Sequence, residues 1–141
     1  MLVADASVLV ELVIAGRHVD GADALLERYA ATTVTLVSAA HGPIEATSAI
    51  RRLVLRDELG DDDGSRALSR LAGLEIALDP PGPRLRDVWS LRARMSAYDA
   101  AYAAAARALG APLVTADTRL LRACADAGIA ARHLDELAGA A

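Results

Sequence analysis

Short apolar runs of strand character alternate with longer segments of helical spacing along the 141-residue chain. The strand-like runs lie at 2–4, 34–37, 74–78, 111–116 and 129–134, and they have the Val, Ile and Leu content of buried strands. Between them, apolar residues recur three or four positions apart, which is the spacing of an amphipathic helix. This alternation predicts an α/β fold, a three-layer α/β/α sandwich with a central, mainly parallel sheet covered by helices on both faces.

The helical segments have recognisable ends. We predict helices at 7–15 with Gly16 as its stop, at 21–31, at 42–60 with Pro43 in its first turn and Gly60 at its end, and at 61–73, 84–95, 97–109 and 118–128. A short helix follows the last strand. The sequence DPPGP at 79–83 is the strongest turn signal, but it is too short for a linker. We therefore predict a single domain over residues 1–141.

Composition excludes several classes of protein. The net charge is −4, so a global basic field does not attract nucleic acid. All 15 basic residues are arginine, which excludes any mechanism that needs a lysine. Cys124 is the only cysteine, which rules out an intrachain disulfide and fits a reducing cytoplasm. Asp5 and Glu11 interrupt the first apolar run, which argues against a signal peptide, and no apolar stretch is long enough to span a bilayer. We therefore expect a cytoplasmic location and no membrane partner.

Two of the strand-like runs end in an aspartate. Asp5 follows Leu2 to Ala4, and Asp117 follows the run from Pro112 to Thr115. A buried carboxylate without a partner is costly, so each needs a proton, a donor or a cation. In open parallel sheets, ligands bind outside the carboxyl ends of the strands. If these two strands are neighbours, the two carboxylates meet in one cleft.

Glu45 and Asp99 add two acids at the starts of predicted helices. Taken singly, each acid has a structural interpretation: Asp5 and Asp117 as helix caps, Asp99 as part of a capping box with Ser96, and Glu45 as a first-turn glutamate. Taken together, crowded carboxylates repel one another unless protons or cations bind. Mg²⁺ prefers oxygen ligands and can activate water for phosphodiester cleavage. The joint pattern therefore favours a metal site.

Four segments also carry a family resemblance: VADAS at 3–7, IEATSAIRRL at 44–53, SAYDAAYAAAARALGAPLVTAD at 96–117 and TRLLRA at 118–123. They resemble the motifs of the PIN-domain ribonucleases, in particular the toxin components of VapBC-type, or type II, toxin–antitoxin modules. The resemblance spans nearly the whole chain, and the run from Ser96 to Asp117 is its most specific part. It implies a PIN-like fold and an Mg²⁺- or Mn²⁺-dependent endoribonuclease that cleaves RNA with a metal-activated water. It also implies a toxin that is neutralised by a cognate antitoxin and forms a homodimer.

Carried over residue by residue, the resemblance makes four acids both metal ligands and catalytic residues: Asp5, Glu45, Asp99 and Asp117. Ser7 matches a small polar residue that supports such a site, and Thr115 is placed to hydrogen-bond within it. Some relatives carry a further acid where this chain has Arg119. Because an acidic pocket needs cationic side chains at its rim to contact phosphates, we predict Arg119 as a substrate contact.

Two other interpretations remain open from the residues. A non-catalytic PIN-like binding module would keep the fold without the metal. An acidic-pocket phosphotransfer domain, such as a receiver domain or an aspartate-nucleophile phosphatase, also gathers aspartates at strand ends, but those families use a lysine that this chain lacks. Packing or a surface position is the default prediction for five further residues: His41, Trp89, Tyr98, Tyr102 and Cys124. A substrate contact stays open for His41, an interface for Trp89, and stacking on a base for Tyr98 and Tyr102, which flank Asp99. Neither His18 nor His133 has metal-ligand spacing.

Overall fold

The sheet is parallel throughout. The computed structural model describes residues 1–15 and 19–139, and in them five strands lie in the order β3-β2-β1-β4-β5. The strands are β1 (Leu2–Ala4), β2 (Leu36–Ala39), β3 (Ile76–Asp79), β4 (Leu113–Thr115) and β5 (Ala131–His133). Each neighbouring pair is parallel, so all the strands end at one edge, which we call the carboxyl edge. The predicted α/β fold is confirmed.

Helices cover both faces of this sheet. They are α1 (Ala6–Val13), α2 (Asp20–Ala30), α3 (Gly42–Leu55), α4 (Asp61–Gly73), α5 (Leu85–Ser90), α6 (Ala97–Leu109) and α7 (Thr118–Asp126), with 3-10 turns at Gly82–Arg84 and Leu134–Leu137. Successive strand residues point to opposite faces. Ala4 and Val114 pack with α1 to α4 in one core, whereas Val3 and Leu113 pack with α6 and α7 in the other. The three-layer sandwich is therefore confirmed.

Several predicted boundaries are wrong. The helix predicted at 42–60 ends at Leu55, because Asp57 adopts a left-handed φ of 56°, which aspartate tolerates better than most residues. Gly60 instead precedes α4 as its N-cap. The helix predicted at 84–95 is α-helical only over Leu85–Ser90 and is followed by turns. The helix stop predicted at Gly16, like His18, lies outside the described residues.

Strand β2 lies two residues later than predicted, at 36–39, and β3 runs to Asp79, which the sequence had placed in a turn. Asp79 is buried, and Arg84 neutralises it with two hydrogen bonds, from Nε at 3.0 Å and from Nη2 at 2.9 Å. Along 1–15 and 19–139, no helix has the length and hydropathy needed to cross a bilayer.

A close approach between backbone elements sets the start of α3. A Cβ on Gly42 would lie 2.2 Å from Ser38 Oγ and 3.4 Å from Tyr102 Oη. Ser38 cannot easily yield, because it is fully buried and its hydroxyl donates to the Ala4 carbonyl at 2.8 Å. Only glycine fits here, and this contact holds the first turn of α3, including Glu45, against the carboxyl edge.

Candidate active site

The sheet topology brings the first and last of the predicted acids together. Strand β1 pairs directly with β4, with Ala4 aligned to Val114. Asp5 and Asp117 therefore leave neighbouring strands at the carboxyl edge, as the sequence argument required. Burial raises the pKa of Asp5, and the negative charge of Asp117 adds to that rise, so the two carboxylates interact.

Asp5 is held by donors on both carboxylate oxygens. Its side chain caps α1: Oδ1 accepts from the Val8 amide at 3.1 Å and from the Ser7 hydroxyl at 2.6 Å. Oδ2 accepts from the Thr115 hydroxyl at 2.6 Å. Asp5 is only 4% exposed, so these donors replace the water that burial removes. The carboxylate is fixed in one orientation.

Thr115 and Ser7 connect the two strand ends. The Thr115 hydroxyl donates to Asp5 and accepts from the Asp117 amide at 2.9 Å. The Ser7 hydroxyl donates to Asp5 and accepts from the Ala116 amide at 2.9 Å. A hydroxyl has one proton to donate, so both hydroxyls are fully used in orienting Asp5. This geometry is what a supporting role predicts for Ser7 and Thr115.

Asp117 also combines two functions. Its Oδ1 caps α7 by accepting from the Arg119 amide at 2.8 Å and from the Leu120 amide at 3.3 Å. Its Oδ2 lies 3.6 Å from Arg119 Nη2. One oxygen therefore completes a helix end, while the other faces a cation.

Glu45 and Asp99 approach the same place from the helices. Glu45 lies in the first turn of α3, and Asp99 lies in the first turn of α6, where Ser96 is the N-cap and accepts from the Asp99 amide at 3.2 Å. Burial is the main cause that raises the pKa of Glu45, followed by the charges of Asp99 and Asp5. Burial also raises the pKa of Asp99, and Asp117 adds to that rise. All four predicted acids therefore share one electrostatic environment.

The charge balance of this cluster favours binding of a cation. The pKa values of Asp5, Glu45 and Asp99 are all raised, first by burial and then by neighbouring carboxylates. The donor set is made of oxygen, which suits Mg²⁺ and Mn²⁺. Within residues 1–15 and 19–139, however, no three His, Cys, Asp or Glu side chains already form a group that could hold a metal ion. The oxygen chemistry of the four acids nevertheless fits a divalent ion.

Arg119 lies among the acids. Its Nη2 is 3.9 Å from Asp99 Oδ2 and 3.6 Å from Asp117 Oδ2, and its side chain is 82% exposed. Burial raises the pKa of Asp99, and the positive charge of Arg119 partly offsets that rise, to which Asp117 adds. The sequence placed Arg119 at the rim as a phosphate contact, and the structure adds an internal role as counter-ion to two of the acids.

Tyr102 and His41, for which the sequence made packing or a surface loop the default, lie beside the acids. Tyr102 is fully buried, and its hydroxyl lies beside the Glu45 carboxylate, where its contact partly offsets the rise in the pKa of Glu45. Burial, then the charges of Glu45 and Asp5, raise the pKa of Tyr102, so the phenol stays protonated. The His41 ring lies 4.8 Å from the Tyr102 ring, and its Nε2 is 3.7 Å from Glu45 Oε2. His41 and Glu45 are four residues apart across the start of α3, and this spacing is the sequence signal that their side chains lie close together.

Comparison with known proteins gives consistent results. A family model described as PIN domain matches residues 2–126. Ribonuclease VapC9 of Mycobacterium tuberculosis is 47% identical over 76 residues, which cover 54% of this chain and 60% of that relative. Ribonuclease VapC12 of the same species is 33% identical over 120 residues, covering 85% of this chain and 89% of the relative. The crystal structure of PAE2754 from Pyrobaculum aerophilum is 23% identical, with a TM-score of 0.70, and covers 98% of this chain and 93% of that one.

These matches cover different shares of the relatives' lengths. The alignment with VapC9 spans about three fifths of that relative's length, whereas the alignment with VapC12 spans most of both chains. The likeness to PAE2754 extends over nearly the whole fold.

Proposed function

Because this chain belongs to the PIN-domain family, we propose that it is a divalent-metal-dependent endoribonuclease of the VapC kind. One observation carries the proposal: four acids from separate elements meet at a single edge of the sheet, where burial first and neighbouring carboxylates second raise the pKa values of Asp5, Glu45 and Asp99. The names of the relatives, ribonucleases VapC9 and VapC12, support RNA as the substrate. Family membership also argues against the phosphotransfer alternative.

In this proposal Asp5, Glu45, Asp99 and Asp117 hold Mg²⁺ or Mn²⁺. A bound ion would stabilise the negative charge that develops during phosphodiester cleavage and would activate water. Ser7 and Thr115 fix the orientation of Asp5 through its two oxygens. Arg119 is exposed, so it can turn from the acids toward a phosphate of the bound RNA.

The described side chains near the acids do not offer a protein nucleophile. The hydroxyls of Ser7 and Thr115 already donate their protons to Asp5. Cys124 is buried, and burial raises the pKa of its thiol to about 11, so it stays protonated near neutral pH. Attack by water is therefore the chemistry that we propose.

We also propose the partners that the VapC resemblance implies. A cognate antitoxin would neutralise the enzyme by laying a segment over the acidic cleft, and two copies of the chain would form a homodimer. Residues 1–141 would act as one PIN domain.

A non-catalytic binding module is the second candidate, and one observation favours it. The guanidinium of Arg119 already lies within 4 Å of two of the acids, which gives the cluster a cation of its own. Calorimetric titration with Mn²⁺ near neutral pH separates the two candidates. The enzyme binds the ion, and the module does not.

RNA cleavage tests the main proposal. The wild-type chain, Asp5→Asn and Asp63→Asn are incubated with a cellular RNA pool and Mg²⁺ or Mn²⁺, and new 5′ ends are mapped by sequencing. Asparagine caps helices as well as aspartate, so Asp5→Asn removes the charge and keeps α1. Asp63 is the matched control, because it is a distant acid in the first turn of α4, paired at the surface with Arg66.

We expect cleavage by the wild type and by Asp63→Asn, and none by Asp5→Asn or in the presence of a chelator. Equal cleavage by Asp5→Asn would show that the role assigned to Asp5 is wrong. No metal-dependent cleavage by the wild type would refute the enzyme.

A further inference from the structure

An apolar cleft opens beside the acidic cluster and is not used by the function proposed above. It has a volume of about 450 Å³ and lies at the ends of β2 and β3. Its walls are formed by Leu85 and Val88 of α5 and by Tyr98 and Ala101 of α6, with Asp79 and Arg84 among its polar groups. We call it the lateral cleft.

The lateral cleft and the acids share a wall. His41 and Tyr98 line the cleft, and their rings meet edge to face with centroids 5.4 Å apart. On the other side, His41 Nε2 lies 3.7 Å from Glu45 Oε2. Asp99 directly follows Tyr98 in α6. Anything bound at the acids therefore lies next to the mouth of the cleft.

The walls of the cleft leave apolar and aromatic surface exposed to water. Tyr98 is 66% exposed and Leu85 is 60% exposed. Large apolar side chains exposed around a concave surface are typical of a binding site. The two rings at the edge offer a flat ligand a surface on which to stack.

Arg84 supplies a fixed donor in the cleft. Its Nε and Nη2 donate to Asp79, and its side chain is 22% exposed. This bidentate pair neutralises the charge and fixes the plane of the guanidinium. In the described part of the chain Nη1 makes no hydrogen bond with the protein, so its two N–H groups remain for a ligand.

We propose that the lateral cleft binds one unpaired nucleobase of a single-stranded RNA, next to the phosphate held at the acids. This inference rests on the nuclease function proposed above. Sequence-dependent recognition of RNA uses unstacked bases that stack on aromatic rings and hydrogen-bond through their edges. Tyr98 and His41 provide the rings, and Arg84 provides donors for the carbonyl or ring-nitrogen acceptors of a base. The shared wall favours a base over a protein side chain, because a nucleotide whose phosphate is bound at the acids, as proposed above, has its base within reach of this wall.

Binding of homopolymeric RNA tests the proposal without relying on cleavage. The probes are fluorescein-labelled single-stranded oligo(rA), oligo(rC), oligo(rG) and oligo(rU), with a ribose-phosphate oligomer of equal length that has no bases. Affinities are measured by fluorescence anisotropy with Mg²⁺ in the Asp5→Asn background, so that the RNA stays intact. Tyr98→Ala removes the ring, Tyr98→Phe keeps it, and Leu55→Ala truncates an exposed apolar residue at the end of α3.

We expect at least one base-bearing probe to bind about tenfold more tightly than the abasic probe, the size of one base–aromatic stack. This ratio should fall to about one in Tyr98→Ala and persist in Tyr98→Phe and Leu55→Ala. An unchanged ratio in Tyr98→Ala, as expected if a protein segment occupies the cleft, would overturn the proposal. So would equal binding of base-bearing and abasic probes. Failure of the wild type to cleave RNA would refute the nuclease and leave these ratios measurable.

Discussion

Replacing Thr115 with valine tests how the acids are held. Valine has nearly the shape of threonine, and Thr115 is fully buried, so the change removes one hydroxyl without opening a cavity. Two hydrogen bonds are lost together, the one donated to Asp5 Oδ2 at 2.6 Å and the one accepted from the Asp117 amide at 2.9 Å. The substitution therefore weakens the link between β1 and β4 at the carboxyl edge.

The expected loss follows from these two bonds. A hydrogen bond to a charged group contributes about 1.5–3 kcal/mol, and an amide left without an acceptor in a partly buried place costs about 1 kcal/mol. The sum is a loss of about 3 kcal/mol in the free energy of unfolding near neutral pH. For a domain of this size, that corresponds to a fall in Tm of about 6–12 °C.

Urea and thermal unfolding followed by circular dichroism measure the loss. Thr47→Val is the matched control, because Thr47 lies half-buried in α3 and its hydroxyl donates to the Pro43 carbonyl at 2.8 Å, an acceptor that the helix also satisfies. We expect that control to lose at most about 0.5 kcal/mol. If Thr115→Val loses no more than Thr47→Val, the argument that Thr115 holds Asp5 is refuted.

Three further predictions concern the charge and packing of the site. The pKa values of Asp5, Glu45 and Asp99 are raised in the folded protein, so protonation of these carboxyls stabilises the metal-free fold. This contribution is fully present below about pH 4, where the same groups titrate in the unfolded chain, and it is lost as pH rises through the raised values. Thermal melts should therefore show that Mn²⁺ raises Tm more at neutral than at acidic pH, and that Asp5→Asn reduces this difference. Arg119→Gln should tighten Mn²⁺ binding several-fold in calorimetry, because a competing charge 3.6 Å from Asp117 is removed; unchanged affinity would contradict the counter-ion role. Gly42→Ala should destabilise the fold by about 2 kcal/mol in urea unfolding, since its Cβ would meet Ser38. Gly73→Ala, with nothing within 4 Å, should be neutral or stabilising by up to about 1 kcal/mol.

The sequence predicted the layout of the fold and the identity of the converging acids. This worked because strand ends can be read locally: an apolar run followed by Asp5 or Asp117 marks the carboxyl edge wherever its strand lies in a parallel sheet. The pairing of β1 with β4 was a condition of the argument, and the structure meets it.

The contacts that the sequence did not predict join residues that are far apart in the chain. Thr115 was predicted to hydrogen-bond within the site, but its partner was not: Thr115 and Asp5 lie 110 residues apart, and no local spacing shows that a hydroxyl of one strand end will donate to an acid at the next. The position of His41 between α3 and the tyrosines of α6 likewise depends on how two helices cross the same edge. The ion pair of Asp79 with Arg84 was hidden because a proline-rich turn signal covers the end of β3.

The four acids differ in what else depends on them. Asp5 and Asp117 each cap the helix that follows, whereas the N-caps of α3 and α6 are His41 and Ser96. If a descendant lost the nuclease activity proposed here, selection for folding alone would still tend to keep Asp, Asn or Ser at positions 5 and 117. Glu45 and Asp99 would have no such protection and would drift first. In surveys of genomes for silent copies of such a protein, positions 45 and 99 are therefore the ones that report lost chemistry.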